Sequence, residues 1–307
     1  WQNVSSWQVG YALNPASGFA NAVFRHDGDV EFLFVAPNSV SLLSLDLDGN
    51  NSTATGTAYQ ATYIENGAPI GVADFGDVVI SQNAVLGGTL GSASVVLTNA
   101  QAGDVLSVGA LPPGITASVD TSVAGQVTVT LTGADTIANY QLALQAIQFS
   151  NSSDAPSTAD RLIDFSVTNT VFSTTSATAR STIHLTAVND APVDGDETNI
   201  VTEDVTLTVA NGAAGDLLNN ASDVDGNPLT VTGYTIFGIA GTQAVGAPVL
   251  ITGVGTITIN ANGSYSFAPV LNYTGAVPLI TYTVSDGALT DTSTLSLSMT
   301  PVNDAPA

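Results

Sequence analysis

The chain has 307 residues and a formal net charge of −23, yet only 9% of its residues are charged, against about 25% in ordinary soluble domains. The basic residues are Arg25, Arg161 and Arg180, with no lysine, so the potential repels nucleic acid and anionic membrane surfaces and excludes both as direct partners. Cysteine is absent, which excludes disulfides, and no run approaches the roughly 20 apolar residues that span a bilayer. The 26 carboxylates have too few side-chain cations to pair with. They are sparse and grouped, which favours ion sites over an acidic solvating coat, and stability is expected from burial and bound cations.

In chain order, residues 1–42 hold seven of the twenty aromatics (Trp1, Trp7, Tyr11, Phe19, Phe24, Phe32 and Phe34). This segment either closes a preceding domain or completes the first sandwich. Beyond it, Val, Thr, Ile and Ser alternate apolar with polar at period two, the pattern of half-buried antiparallel strands. Strands are predicted at 94–98, 126–132, 162–168, 181–187, 205–209, 256–260, 264–268, 280–285 and 294–299. Asn262-Gly263 predicts a two-residue hairpin between two of them, since both residues tolerate positive φ. At 137–147, Leu142, Leu144, Ala146 and Ile147 break the β pattern and predict one short helical turn. Many short strands with Gly and Asn turns give an all-β chain of tandem antiparallel β-sandwiches.

The tetrapeptide Asn189-Asp190-Ala191-Pro192 recurs as Asn303-Asp304-Ala305-Pro306, 114 residues later. Each copy ends an alternating strand, and the proline stiffens the exit, so the pair reads as a repeated joint in an elongated array. The expected division is an N-terminal segment at 1–42, a long sandwich at 43–190, a second at 191–303, and the start of a further linker at 304–307. The chain starts without Met or a signal peptide, so it is expected to be part of a longer protein.

Oxygen ligands gather near the first joint. In Asp223-Val-Asp225-Gly-Asn227, two carboxylates two residues apart project to one side of an extended segment, and the glycine permits a tight turn. Asp286 follows a strand and Glu203 precedes another. A hard cation such as Ca2+ takes six to eight oxygens, and a solvated turn is the plain alternative for any one of these motifs.

With Gly255-Thr-Ile-Thr-Ile-Asn-Ala-Asn-Gly-Ser-Tyr-Ser-Phe267, Thr281-Tyr-Thr-Val-Ser-Asp-Gly287 and both Val-Asn-Asp-Ala-Pro joints, residues 43–307 resemble the cadherin-like tandem repeats of large bacterial calcium-dependent surface adhesins, often of the repeats-in-toxin type. The resemblance implies a joint at which Asn189 and Asp190 of the linker, Glu65 of the preceding domain, and Asp223, Asp225 and Asp286 of the following one share Ca2+. Asp160-Arg161 resembles the start of the family's Asp-Arg-Glu element, but Leu162 stands where the Glu should be, so one or two ions are expected rather than three. Glu203, Asn303 and Asp304 would form half of a further junction. In the longer domain Asn169 stands where Asp286 stands in the second, and Asp46, Asp48, Asp74 and Asp77 form either an ion site or a plain polar loop.

The function this implies is a calcium-stiffened extender segment of a secreted adhesin at the bacterial surface, supporting attachment and biofilm formation. The alternative is a ligand-binding module whose aromatic residues at 1–34, with Asp27, Asp29 and Glu31, capture a cell-surface sugar or peptide. Neighbouring repeats of the same polypeptide are the expected partners, and a monomer is expected. No nucleophile, base and orienting acid fall in a recognisable order and no phosphate loop is present, so no enzymatic activity is expected. His184 reads as an ordinary strand side chain, and His26 as part of a solvated turn.

Overall fold

The computed structural model describes residues 43–83, 88–169, 171 and 173–303, together with the backbone of strands β1 (Gln8–Asn14), β2 (Phe19–His26) and β3 (Asp29–Phe34). The chain divides into two compact units, Trp1–Ala187 and Val188–Ala307.

In the first unit, β1, β2 and β3 form an antiparallel meander. A larger sheet is built on β5 (Tyr59–Ile64), β8 (Thr89–Leu97), β10 (Thr116–Asp120), β11 (Val127–Thr136), β13 (Arg161–Asn169) and β15 (Ala179–Thr186), in the order β10-β11-β8-β13-β15-β5. Facing it are a three-stranded sheet containing β9 (Asp104–Val108) and β12 (Ile147–Asn151), and the pair β4 (Leu43–Asp46) with β7 (Val79–Gln82). The alternation read from sequence is the burial pattern observed: every second residue of β13 is buried, starting at Arg161. Leu45, Val95, Leu106, Phe149 and Phe165, drawn from all three of these sheets, share one core, with the Tyr63 ring packed edge-on to Phe149. The predicted helical turn is α1 (Ile137–Gln145), which carries the chain from the large sheet to the small one. The Thr136 hydroxyl caps it by accepting from the Asn139 N–H at 3.2 Å.

The second unit is a two-sheet sandwich. One sheet orders β16 (Glu197–Thr202), β23 (Thr290–Thr300), β22 (Ile280–Ser285) and β18 (Thr230–Ile236) as β16-β23-β22-β18. The other orders β17 (Leu207–Val209), β21 (Tyr265–Pro269), β20 (Gly255–Ile259) and β19 (Val249–Ile251) as β17-β21-β20-β19. Val201, Ile257, Phe267, Tyr282 and Leu295 fill the space between them.

Two expectations are corrected. The sheets are not wholly antiparallel: β5 runs parallel to β15, and β16 parallel to β23. Parallel partners need a long crossover between them, here most of the unit, and nothing in a local pattern records that direction. The Asn262-Gly263 hairpin does join β20 to β21, but through three residues, because Asn260 still pairs with Ser264. Only Gly263 takes a positive φ (+85°), while the Asn262 side chain accepts from the Ser264 N–H and hydroxyl.

Candidate metal centre

The second unit assembles the oxygen set at its N-terminal end. The loop after Ser222 turns at Gly226 (φ +76°), and Asp223 Oδ1 accepts from the Asp225 and Asn227 N–H groups at 3.0 and 3.1 Å. The linker is tied to this loop: the Asp190 N–H donates to Asp225 Oδ2 at 2.8 Å, and the Asn227 amide to Asn189 Oδ1 at 2.6 Å. The Asn189 amide reaches Asp286 Oδ2 at 2.7 Å, across 97 residues of sequence. Asp286 Oδ1 accepts from the Ala288 and Leu289 N–H groups, both at 2.6 Å. The bond from Asn189, followed by those two, lowers the Asp286 carboxyl below its ordinary pKa. Asn189, Asp190, Asp223, Asp225 and Asp286 therefore stand together.

The fit to a cation rests on an orphaned atom. Asp223 Oδ2 is buried and accepts no hydrogen bond. A carboxylate oxygen withdrawn from water without a donor is costly, and a hard cation is a ligand that this group suits.

Glu65 and Glu203 occupy equivalent places, one in each unit. Both are buried, at 4% and 3% exposure. The Glu65 N–H donates to Thr186 O and the Glu203 N–H to Thr300 O, each at 2.9 Å, where the last strand of the unit ends. Each is followed by a residue in the left-handed region, Asn66 (φ +57°) and Asp204 (φ +62°), a conformation that Asn and Asp tolerate. Glu203 Oε2 accepts from the Val302 N–H at 2.8 Å, next to Asn303; Asp304 lies outside the described residues.

Asp160 has a partner that the sequence did not announce. Its Oδ1 lies 2.7 Å from His184 Nδ1, with both side chains about half exposed. Arg161 turns inward instead, its Nε 2.5 Å from Asp104 Oδ2 with both side chains fully buried. Asn169 is buried too, its amide donating to Thr89 O at 2.9 Å.

In the first unit Asp48, Asp74 and Asp77 each bring a carboxylate oxygen within 4.8 Å of the other two. Asp46 is not in this group; it accepts from the Asp48 N–H at 3.1 Å. Burial raises the Asp48 pKa, but hydrogen bonds from Thr53, Ser52 and Ala54 outweigh it and hold the carboxyl well below the usual range. Asp48 thus already serves as the anchor of its own loop. Asp74 accepts from the Ser52 hydroxyl and Asp77 from the Asn50 N–H. The aromatic side chains at 1–34, with Asp27, Asp29 and Glu31, lie outside the described residues.

One further acidic pair was not read from sequence. Glu197 is 5% exposed; its Oε2 accepts from the Tyr282 hydroxyl. Burial first, then the charge of Asp194, pushes its carboxyl up to about 8. Burial likewise pushes Asp194 up to about 6.

Each of the two units is an all-β body with acidic loops. Residues 189–301 match the family model of the bacterial cadherin-like domain. No curated protein matches the sequence. Among solved structures, the chain is similar to the extracellular cadherin domains 1–4 of protocadherin gamma B7 (13% identity, 97% of this chain and 66% of that one, TM-score 0.36). It is also similar to domains EC21–23 of human CDH23 (13%, 79% and 67%, TM-score 0.36) and to an endo-fucoidan hydrolase of glycoside hydrolase family 107 (11%, 99% and 38%, TM-score 0.23). The chain thus spans less than two thirds of the lengths of the protocadherin fragment and of the hydrolase.

Proposed function

We propose that this chain is a calcium-stiffened extender segment of a bacterial surface adhesin of the repeats-in-toxin type, which holds a distal binding head away from the cell and supports attachment and biofilm formation. The observation that carries the reading is the convergence of Asn189, Asp190, Asp223, Asp225 and Asp286, with the buried Asp223 Oδ2 lacking a donor. The match of residues 189–301 to the bacterial cadherin-like domain supports it.

In this reading Asp190, Asp223, Asp225 and Asp286 hold Ca2+, with Asn189 supplying its amide oxygen or positioning Asp286. Bound Ca2+ supplies the positive charge that lets these carboxylates sit close together. Glu65, with Asp160 as a further candidate, supplies the preceding repeat's share; Glu203, Asn303 and Asp304 do the same for the next. Without the cation the carboxylates repel one another, most strongly at low ionic strength, where the Debye length is long. Ala191-Pro192 then limits how far the linker can yield.

Small-angle scattering of the whole chain, with Ca2+ and then with a chelator, tests this. The maximum dimension should stay fixed with Ca2+ and broaden on chelation, and Asp225→Asn should behave as the chelated protein does. Identical scattering in both conditions would refute stiffening.

A further inference from the structure

The second unit contains no lysine, arginine or histidine, yet carries twelve of the chain's 26 carboxylates. Every buried carboxylate there needs compensation from hydrogen-bond donors, a proton or a cation from solution. Most have donors. Asp216, 1% exposed, accepts from the Gly212 and Leu218 N–H groups, and Glu203 from Val302.

Asp194 and Glu197 differ. Both oxygens of Asp194 and Oε1 of Glu197 are buried and accept no well-formed hydrogen bond. The Ser293 hydroxyl and the Gly195 N–H lie near Asp194, and the Asn220 amide near Glu197, too weakly disposed to offset burial. Asp194 is the charge that acts most strongly on Glu197, and Asp196, Asp216 and Asp291 add to the negative field of the pair. Glu197 cannot swing away: Tyr282 holds Oε2, leaving Oε1 on the orphaned side.

We propose that Asp194 and Glu197 are the charged ligands of a hard divalent cation inside the second unit, with the Ser293 hydroxyl as a neutral oxygen beside it. None of these belongs to the joint set of Asn189, Asp190, Asp223, Asp225 and Asp286. The charge argument favours a divalent ion: two carboxylates and a 2+ cation make a neutral buried complex, whereas one shared proton leaves a net negative charge with no basic side chain to answer it. The neighbouring backbone is positioned for this. The Asp194 N–H is fixed to Asp291 Oδ2 at 2.9 Å, and Gly195 leaves no room for a Cβ, which would stand 2.6 Å from the Asn220 amide nitrogen. The cation would then tie the start of β16 to β23 at Ser293.

The test is the Ca2+ stoichiometry of the whole chain by equilibrium dialysis at pH 7.5, for wild type, Asp194→Asn/Glu197→Gln and Asp223→Asn/Asp225→Asn. The first double variant should bind one ion fewer than wild type, and the second should keep that ion. An unchanged stoichiometry in Asp194→Asn/Glu197→Gln overturns the inference, the pair then sharing a proton only, and leaves the joint reading standing. Melting in chelator guards against misfolding. Removing two like charges should leave the melting temperature at or above that of wild type; a lower one would mean that the pair serves packing and would equally overturn the site.

Discussion

Glu197 shows how one side chain can link stability to pH. Its carboxyl moves from an ordinary 4.5 to about 8, and that of Asp194 from 3.8 to about 6. Below the ordinary values both states are protonated and no linkage exists. Between 4.5 and about 8 the folded chain retains a proton that the unfolded chain releases, so stability falls as pH rises through that window. In chelator, the melting temperature of the second unit should drop by about 5 °C between pH 5 and pH 9. Glu197→Gln should flatten the profile by calorimetry; an equal slope in wild type and variant would place the linkage elsewhere. Asp48 runs the opposite way. Its lowered pKa gives stability that is present at neutral pH and lost as pH falls below the ordinary carboxylate range.

At the scale of elements, local chemistry decided most of what could be read. The strands predicted at 94–98, 126–132, 162–168 and 280–285 lie within or overlap β8, β11, β13 and β22, because each buries alternate residues on one face. The helix was legible because Leu142, Leu144, Ala146 and Ile147 break period two, although of these only Leu144 is buried within α1, beside Tyr140 and Ala143, and Leu142 is exposed. Strands such as β10, exposed along its whole length, and β16, whose burial is irregular, carried no such signal. The β20–β21 hairpin provides a direct test of turn chemistry. Gly263 has φ +85°, and a Cβ there would stand 2.1 Å from Asp216 Oδ1 and 3.0 Å from the Leu218 backbone nitrogen. Gly263→Ala should therefore cost about 2–4 kcal/mol, combining left-handed strain with overpacking, as read by urea denaturation. A loss below about 0.5 kcal/mol would show that the turn relaxes freely.

For the whole molecule, the two cores share no residue, the first running from Leu43 to Leu185 and the second from Val201 to Leu297. Two calorimetric transitions are therefore expected. Ca2+ at about 100 times its dissociation constant should stabilise a unit that binds it by about 2.7 kcal/mol per independent site. The transition of the second unit should rise accordingly, and Asp223→Asn/Asp225→Asn should cut that rise. A Ca2+ response confined to the first unit would move attention to Asp48, Asp74 and Asp77.

By itself the sequence determined the all-β class, the repeated Asn-Asp-Ala-Pro motif and an excess of carboxylates over basic side chains, since each of these rests on composition or on residues a few positions apart. The Asp223-Val-Asp225 loop was legible for that reason, and so was its glycine. Tertiary structure alone decided that β5 and β16 run parallel to the last strands of their units, which buries Glu65 and Glu203 beside the exits. It also decided that Tyr282 meets Glu197 across 85 residues and that Asp160 finds His184 rather than Arg161. These contacts follow from how sheets stack and strands cross over, and the periodicity of a single strand contains no information about which distant strand will lie beside it.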